Sequence, residues 1–237
     1  MEPCFASCLQ FTKTEEGGYT HDRRDSGNWT SGHVGQGTLV GSNMGVGAPV
    51  LAAWMASSGP VTAELMRGLP ATTYEAIARS NYWAPLGCGV LPAGIDLMLF
   101  DFGWNRGVAT SRDLLARCLD VTQPERPALT WDVLVELLQK TSWAPRLGLL
   151  LGSDVRILQR ALGVRDDGIA GAETSRMLTM RPDLRVMAII LLFSTAQIAS
   201  YRKLANFSIY GAGWLARSGR RRIAALAVAG RTASIDV

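Results

Sequence analysis

The run Val186 to Ala199, with Met187-Ala188-Ile189-Ile190-Leu191-Leu192-Phe193 at its centre, restricts the fold more than any other stretch. It is shorter than the ~20 apolar residues that cross a bilayer, and Ser194, Thr195 and Gln197 interrupt it. It is also too apolar to stand alone in water, so it must become a helix covered by its neighbours. We expect that helix over residues 183–205, with the cover supplied by the rest of the chain or by a second subunit. No transmembrane span is expected. A chain of 237 residues can bury one good core or two modest ones.

Charge is distributed unevenly. The whole chain carries +4, whereas the segment from Asp183 to Val237 holds eight Lys/Arg against two acids, which is +6 and leaves −2 for the remainder. A basic segment suits nucleic acid, anionic lipid or an anionic wall polymer, and is most often a solvated helix face. No nucleic-acid recognition motif accompanies it, so no nucleic-acid partner is expected. The cysteines Cys4, Cys8, Cys88 and Cys118 form no CxxC pair, and His21 and His33 are the only histidines. That excludes the usual zinc patterns, so no metal or other cofactor is expected, and it favours buried free thiols. The first residues lack a basic n-region, so synthesis in the cytoplasm without a secretory signal is expected.

Taken in order, the chain reads as mainly helical. Phe5, Cys8, Leu9 and Phe11 recur at helical spacing and predict a short helix over 5–16. Gly17-Gly18 would stop it by taking the left-handed conformation. Residues 19–47 have no sustained period and are punctuated by glycine, which predicts a functional loop holding a small β element near Gly37-Thr38-Leu39-Val40. Pro49 predicts a helix to Ser57. Thr72 and Glu75 read as a capping box for a helix through Trp83. Further helices are predicted at 93–105, closed by Gly107, and at 111–119. Asp120 to Pro127, with two prolines, is the best candidate connection. After it come predicted helices at 130–140, 153–162 with Ser153 as N-cap, 173–179, and 213–229 carrying Arg217, Arg220, Arg221 and Arg222.

The chemistry concentrates in the glycine-laden loop. A carboxyl at the partly apolar end of a helix suits a general acid, and an aspartate in a hydrogen-bonding loop suits its ionised partner. Glu16 and Asp25 fill those two positions, with Tyr19 and Trp29 beside them. In inverting glycosidases such carboxyls stand roughly 6.5–9.5 Å apart, with a water between them. Two loop carboxylates are otherwise ordinary solvated surface.

The order of motifs adds a resemblance. Glu15-Glu16-Gly17-Gly18-Tyr19, Asp25-Ser26-Gly27-Asn28-Trp29-Thr30 and Ser42-Asn43-Met44-Gly45-Val46 resemble glycoside hydrolase family 108, the phage-type N-acetylmuramidases. Asn81-Tyr82-Trp83, Leu91-Pro92-Ala93-Gly94, Phe100-Asp101-Phe102 and Asn105-Arg106-Gly107 resemble its later signatures. Residues 155–217, with Asp167-Gly168-Ile169-Ala170-Gly171 as their turn, resemble a peptidoglycan-binding module.

The resemblance implies Glu16 as catalytic acid, Asp25 as base or electrostatic partner and Ser42 as the hydroxyl that holds water. Serine stands at a position that is usually threonine. Tyr19, Trp29, Asn43, Asp101 and Asn105 are implied substrate contacts, although Asp101 and Asn105 can equally brace a helix end. Glu15 is expected to be solvated surface.

The implied architecture is mainly α (α+β with a small β element): a lysozyme-like catalytic domain over 1–109 packed with a helical peptidoglycan-binding domain over 110–237. The implied function is a muramidase (endolysin) that cleaves the β-1,4 bond between N-acetylmuramic acid and N-acetylglucosamine, acting on periplasmic peptidoglycan after export through a holin or a secretion system. The alternatives are a lytic transglycosylase using Glu16 alone and a non-catalytic peptidoglycan-binding or secretion-assisting protein.

Overall fold

The structure is a computed structural model, and it describes residues 3–119 and 142–233. The expected connection at 120–127 and the expected helix at 130–140 lie outside the described residues.

The described chain is mainly helical: α1 (Pro3–Glu15), α2 (Ala48–Trp54), α3 (Ala63–Arg67), α4 (Ala71–Ala78), α5 (Ile95–Arg106), α6 (Val108–Cys118), α7 (Trp143–Leu147), α8 (Gly152–Leu162), α9 (Ala172–Met180), α10 (Arg185–Arg202) and α11 (Phe207–Ala233). A π-helical turn, Arg79–Trp83, continues α4. The expected β element is reduced to three isolated antiparallel bridges, Thr20 with Ser42, Trp29 with Leu39 and Asn43 with Val46.

Two compact units are present, residues 9–84 and residues 1–8 with 85–237. Residues 1–109, expected as one domain, are shared between the two units, because α5 and α6 group with the C-terminal helices. The smaller unit has its own core, including Val40, Leu51, Met66, Tyr74, Ile77 and Trp83.

In the larger unit α5 is the axial element. Every residue from Ile95 to Trp104 is buried, including Asp96 and Asp101, and α6, α10 and α11 pack around it. Gly94 permits this closeness: its φ is +96°, and a Cβ there would lie 2.6 Å from the Ala225 carbonyl on α11. A helix apolar on all sides is a helix enclosed on all sides. The same holds for α10, where Ala188 through Ser194, Gln197 and Tyr201 are buried. By length and composition alone the stretch Pro182–Arg202 could cross a membrane, longer than the apolar run suggested, but its buried side chains are core contacts.

Several local expectations shift. Thr72 lies inside α4, whose N-cap is Pro70 with no side-chain cap, and Glu75 instead faces Arg79 at 3.7 Å one turn on. Ser153 lies inside α8, which begins after Leu151. The last helix starts at Phe207, not Gly213, and of its four expected arginines only Arg220 is exposed. Arg217 and Arg221 are buried on Asp101, and Arg222 reaches Asp154 at 2.6 Å. The four cysteines are free, as expected. Burial pushes the Cys8 and Cys88 thiols well up, which removes them as nucleophiles at neutral pH.

In the Asp-Gly turn of the C-terminal motif, Gln159 of α8 is the hub. Its amide N–H groups donate to Asp167, the Ile169 carbonyl and Thr174, and its oxygen accepts from the Gly168 N–H.

Candidate active site

Glu16 follows α1 directly, its N–H donating to the Thr12 carbonyl at 3.1 Å. Neither Gly17 nor Gly18 takes a left-handed φ, contrary to the expected helix stop, and a Cβ on either would meet nothing within 4 Å. The backbone beside Glu16 is therefore uncrowded. Glu15 is half-buried like Glu16, not solvated, so exposure does not separate the two. Tyr82 does. Its phenol, in the π-helical turn, is raised above its ordinary range by burial and then by the negative charge of Glu16. π-turns interrupt the helical ladder and recur at functional sites.

Asn28 organises the loop that follows. It is fully buried; its carbonyl accepts from the Val40 and Gly41 N–H groups, and its side-chain amide donates to the Asp22 carbonyl. Asp25 is exposed and caps the short turn Ser26–Asn28, accepting the Gly27 N–H on Oδ1 at 2.8 Å. Asp22, the other loop aspartate, is half-buried and held down to about 2 by hydrogen bonds from Arg24, to which it pairs at 2.8 Å. Of the two, only Asp25 keeps a carboxylate oxygen outside an ion pair.

Ser42 is half-buried. Its backbone exchanges two 2.9 Å hydrogen bonds with Thr20, and its hydroxyl has no protein partner among the described residues. Tyr19 donates its hydroxyl to the Val40 carbonyl at 3.1 Å, and its ring lies against Gly41, 6.0 Å from the His21 ring. Trp29 is half-buried, with its indole N–H donating to the Arg23 carbonyl.

Three expected substrate contacts have protein partners of their own. Asn43 is buried and spends its amide on the Met66 and Arg67 carbonyls at the end of α3, so it braces a helix. Asp101 is fully buried in the larger unit. Burial would raise its carboxyl, but Arg221 and Arg217 outweigh that and hold it well below the usual carboxylate range. Asn105, also in the larger unit, accepts the Tyr201 hydroxyl at 2.8 Å. Both belong to a framework that ties α5 to α10 and α11.

The smaller unit thus brings together a helix-end carboxylate, a bare glycine pair, a braced polar loop and two accessible aromatic residues. Residues 9–107 match the family model described as glycosyl hydrolase 108. Over that segment the chain is similar to glycosyl hydrolase 108. The match includes every site residue from Glu16 to Asn105, and the protein is a glycoside hydrolase. The likeness extends past that segment. The solved structure of Brucella abortus SagA covers 97% of this chain and 97% of its own, at 26% identity and a TM-score of 0.54. No curated protein matches the chain.

Sequence reading did not single out Asn28, Arg67 or a role for Tyr82. The Asp-Ser-Gly-Asn turn is a legible signal for Asn28. Tyr82 lay inside a quoted motif. Arg67 carries no local signal.

Proposed function

We propose that this protein cleaves the glycan strand of bacterial peptidoglycan as an N-acetylmuramidase, at the β-1,4 bond between N-acetylmuramic acid and N-acetylglucosamine. The observation that supports it most is the setting of Glu16, a half-buried carboxyl at a helix end, electrostatically coupled to Tyr82 and followed by bare glycine backbone. Glu16 protonates the leaving glycosidic oxygen. Asp25 accepts the proton of the attacking water through the oxygen that its turn leaves open, and the Ser42 hydroxyl orients that water. The C-terminal helices, with the Gln159-braced turn, serve wall binding. In this reading the protein is made in the cytoplasm and meets its substrate in the periplasm through a holin or a secretion system.

The test is Glu16→Gln assayed on purified peptidoglycan. The variant keeps its fold and its sedimentation with the wall but loses release of muropeptides. Turnover equal to the parent rejects the assignment.

One observation favours a second reading. Asp25 caps a turn, a structural reason for its presence that needs no chemistry. In a lytic transglycosylase Glu16 acts alone and the product carries a 1,6-anhydro sugar. Mass spectrometry of the released fragments separates the two: a hydrated reducing end means hydrolysis, and loss of one water means transglycosylation.

A further inference from the structure

The geometry points to Arg67, over the Tyr19 ring, as the residue that recognises a substrate carboxylate. This inference rests on the proposed action on peptidoglycan and deepens it.

The Arg67 guanidinium sits 4.7 Å from the centroid of the Tyr19 ring. Arg67 is exposed, and among the described residues no carboxylate lies within ion-pair distance of it. Glu64, the acid nearest in sequence, feels the Arg67 charge but is held down first by hydrogen bonds from its own backbone N–H and the Thr62 hydroxyl, and it is exposed. Two features fix the pair in place. Gly41 lets the Tyr19 ring approach, since a Cβ there would lie 2.6 Å from the ring. Asn43 holds the last turn of α3 through the Met66 and Arg67 carbonyls. Gly41 and Asn43 flank Ser42, and Tyr19 follows Glu16 by a glycine pair. The loop that carries the proposed chemistry therefore also positions a cation.

A planar guanidinium stacked on an aromatic ring keeps its edge N–H groups for bidentate recognition of a carboxylate. N-acetylglucosamine carries no charge. The muramic acid side supplies carboxylates from two sources, its own lactyl group where the peptide is absent, or the peptide stem where it is attached. Arg67 selects for that anionic side and so sets which of the alternating β-1,4 bonds meets Glu16.

The test measures binding with Glu16→Gln as the parent, so that glycan is bound and not consumed. Four probes are compared: stem-bearing strands, stem-stripped strands with free lactyl carboxylates, and each of these with its carboxylates reduced to alcohols. The parent is expected to prefer the carboxylate form about tenfold in at least one pair, the scale of one charge-assisted contact. Arg67→Met, which keeps apolar cover on Tyr19 without charge, erases that preference, and Arg67→Lys retains part of it. Loss in the stem-bearing pair assigns the stem, and loss in the stripped pair assigns the lactyl group. Equal binding within both pairs, or a preference that survives Arg67→Met, overturns the inference. Degradation of the glycan by Glu16→Gln itself rejects the functional reading instead, so the two failures are distinct.

Discussion

Arg221 Nε lies 2.6 Å from Asp101 Oδ2, and neither side chain reaches solvent. Arg217 takes the other oxygen at 2.6 Å, and Arg221 also donates to Gln197 at 2.6 Å. One buried carboxylate thus answers two buried guanidiniums. Asp101→Asn takes that shared charge from both, and removing one partner of a buried pair costs about 3–5 kcal/mol. Thermal or denaturant unfolding should show a loss of that size. A variant as stable as the parent would remove the framework role.

The same pair predicts an acid limb. The Asp101 carboxyl ordinarily titrates near about 3.9 in an unfolded chain, and in the fold it is held down to about 2. Its stabilising contribution is therefore fully present above about pH 4 and is lost as pH falls toward about 2. Stability measured from pH 6 down to pH 2 should fall more steeply for the parent than for Asp101→Asn. Parallel curves would contradict the pairing.

Asp25→Asn separates chemistry from capping. The amide oxygen can still accept the Gly27 N–H, so the turn survives while the charge is gone. If Asp25 activates water, turnover falls by about 10²–10⁴ with an unchanged melting temperature. Near-parental turnover would move the mechanism to Glu16 alone.

Gly41→Ala should be disruptive in a specific place. At φ +87° an alanine is strained, and its Cβ would lie 2.5 Å from the Thr20 carbonyl. A cost of about 1–3 kcal/mol is expected. Loss of the Tyr19 environment, read by NMR of the Tyr19 ring, should accompany it.

Met44→Asn should stabilise. Asn43 and Val46 exchange two backbone hydrogen bonds across a two-residue loop in which Met44 (φ +50°) and Gly45 (φ +77°) are both left-handed. Asn-Gly is the favoured pair for such a turn, and the gain should be about 1 kcal/mol. An unchanged or lower melting temperature would count against strain at Met44.

The local setting of the candidate site was legible because it depends on neighbouring residues. Glu16 at a helix end, Asp25 in an Asx-type turn and the glycine-punctuated loop are all properties of neighbouring residues. Capping was misplaced at Thr72 and Ser153 because helix starts depend on which backbone groups find partners, and Pro70 and Leu151 took those positions. The small β element shrank to bridges because Asn28 satisfies the loop backbone that a ladder would otherwise have paired.

The sequence by itself determined that this chain is helical, that residues 186–199 must be covered, and that Glu16 heads the polar loop. Those follow from periodicity, apolar content and turn chemistry, all read within a few residues. Only the tertiary structure decided the fate of Asp101 and of the C-terminal arginines. A charged side chain looks the same on paper whether it faces water or another charge, and the partners of Asp101 lie more than a hundred residues away. The same reason hid Arg67, whose place over Tyr19 exists only because Gly41 and Asn43 bring two distant backbones together.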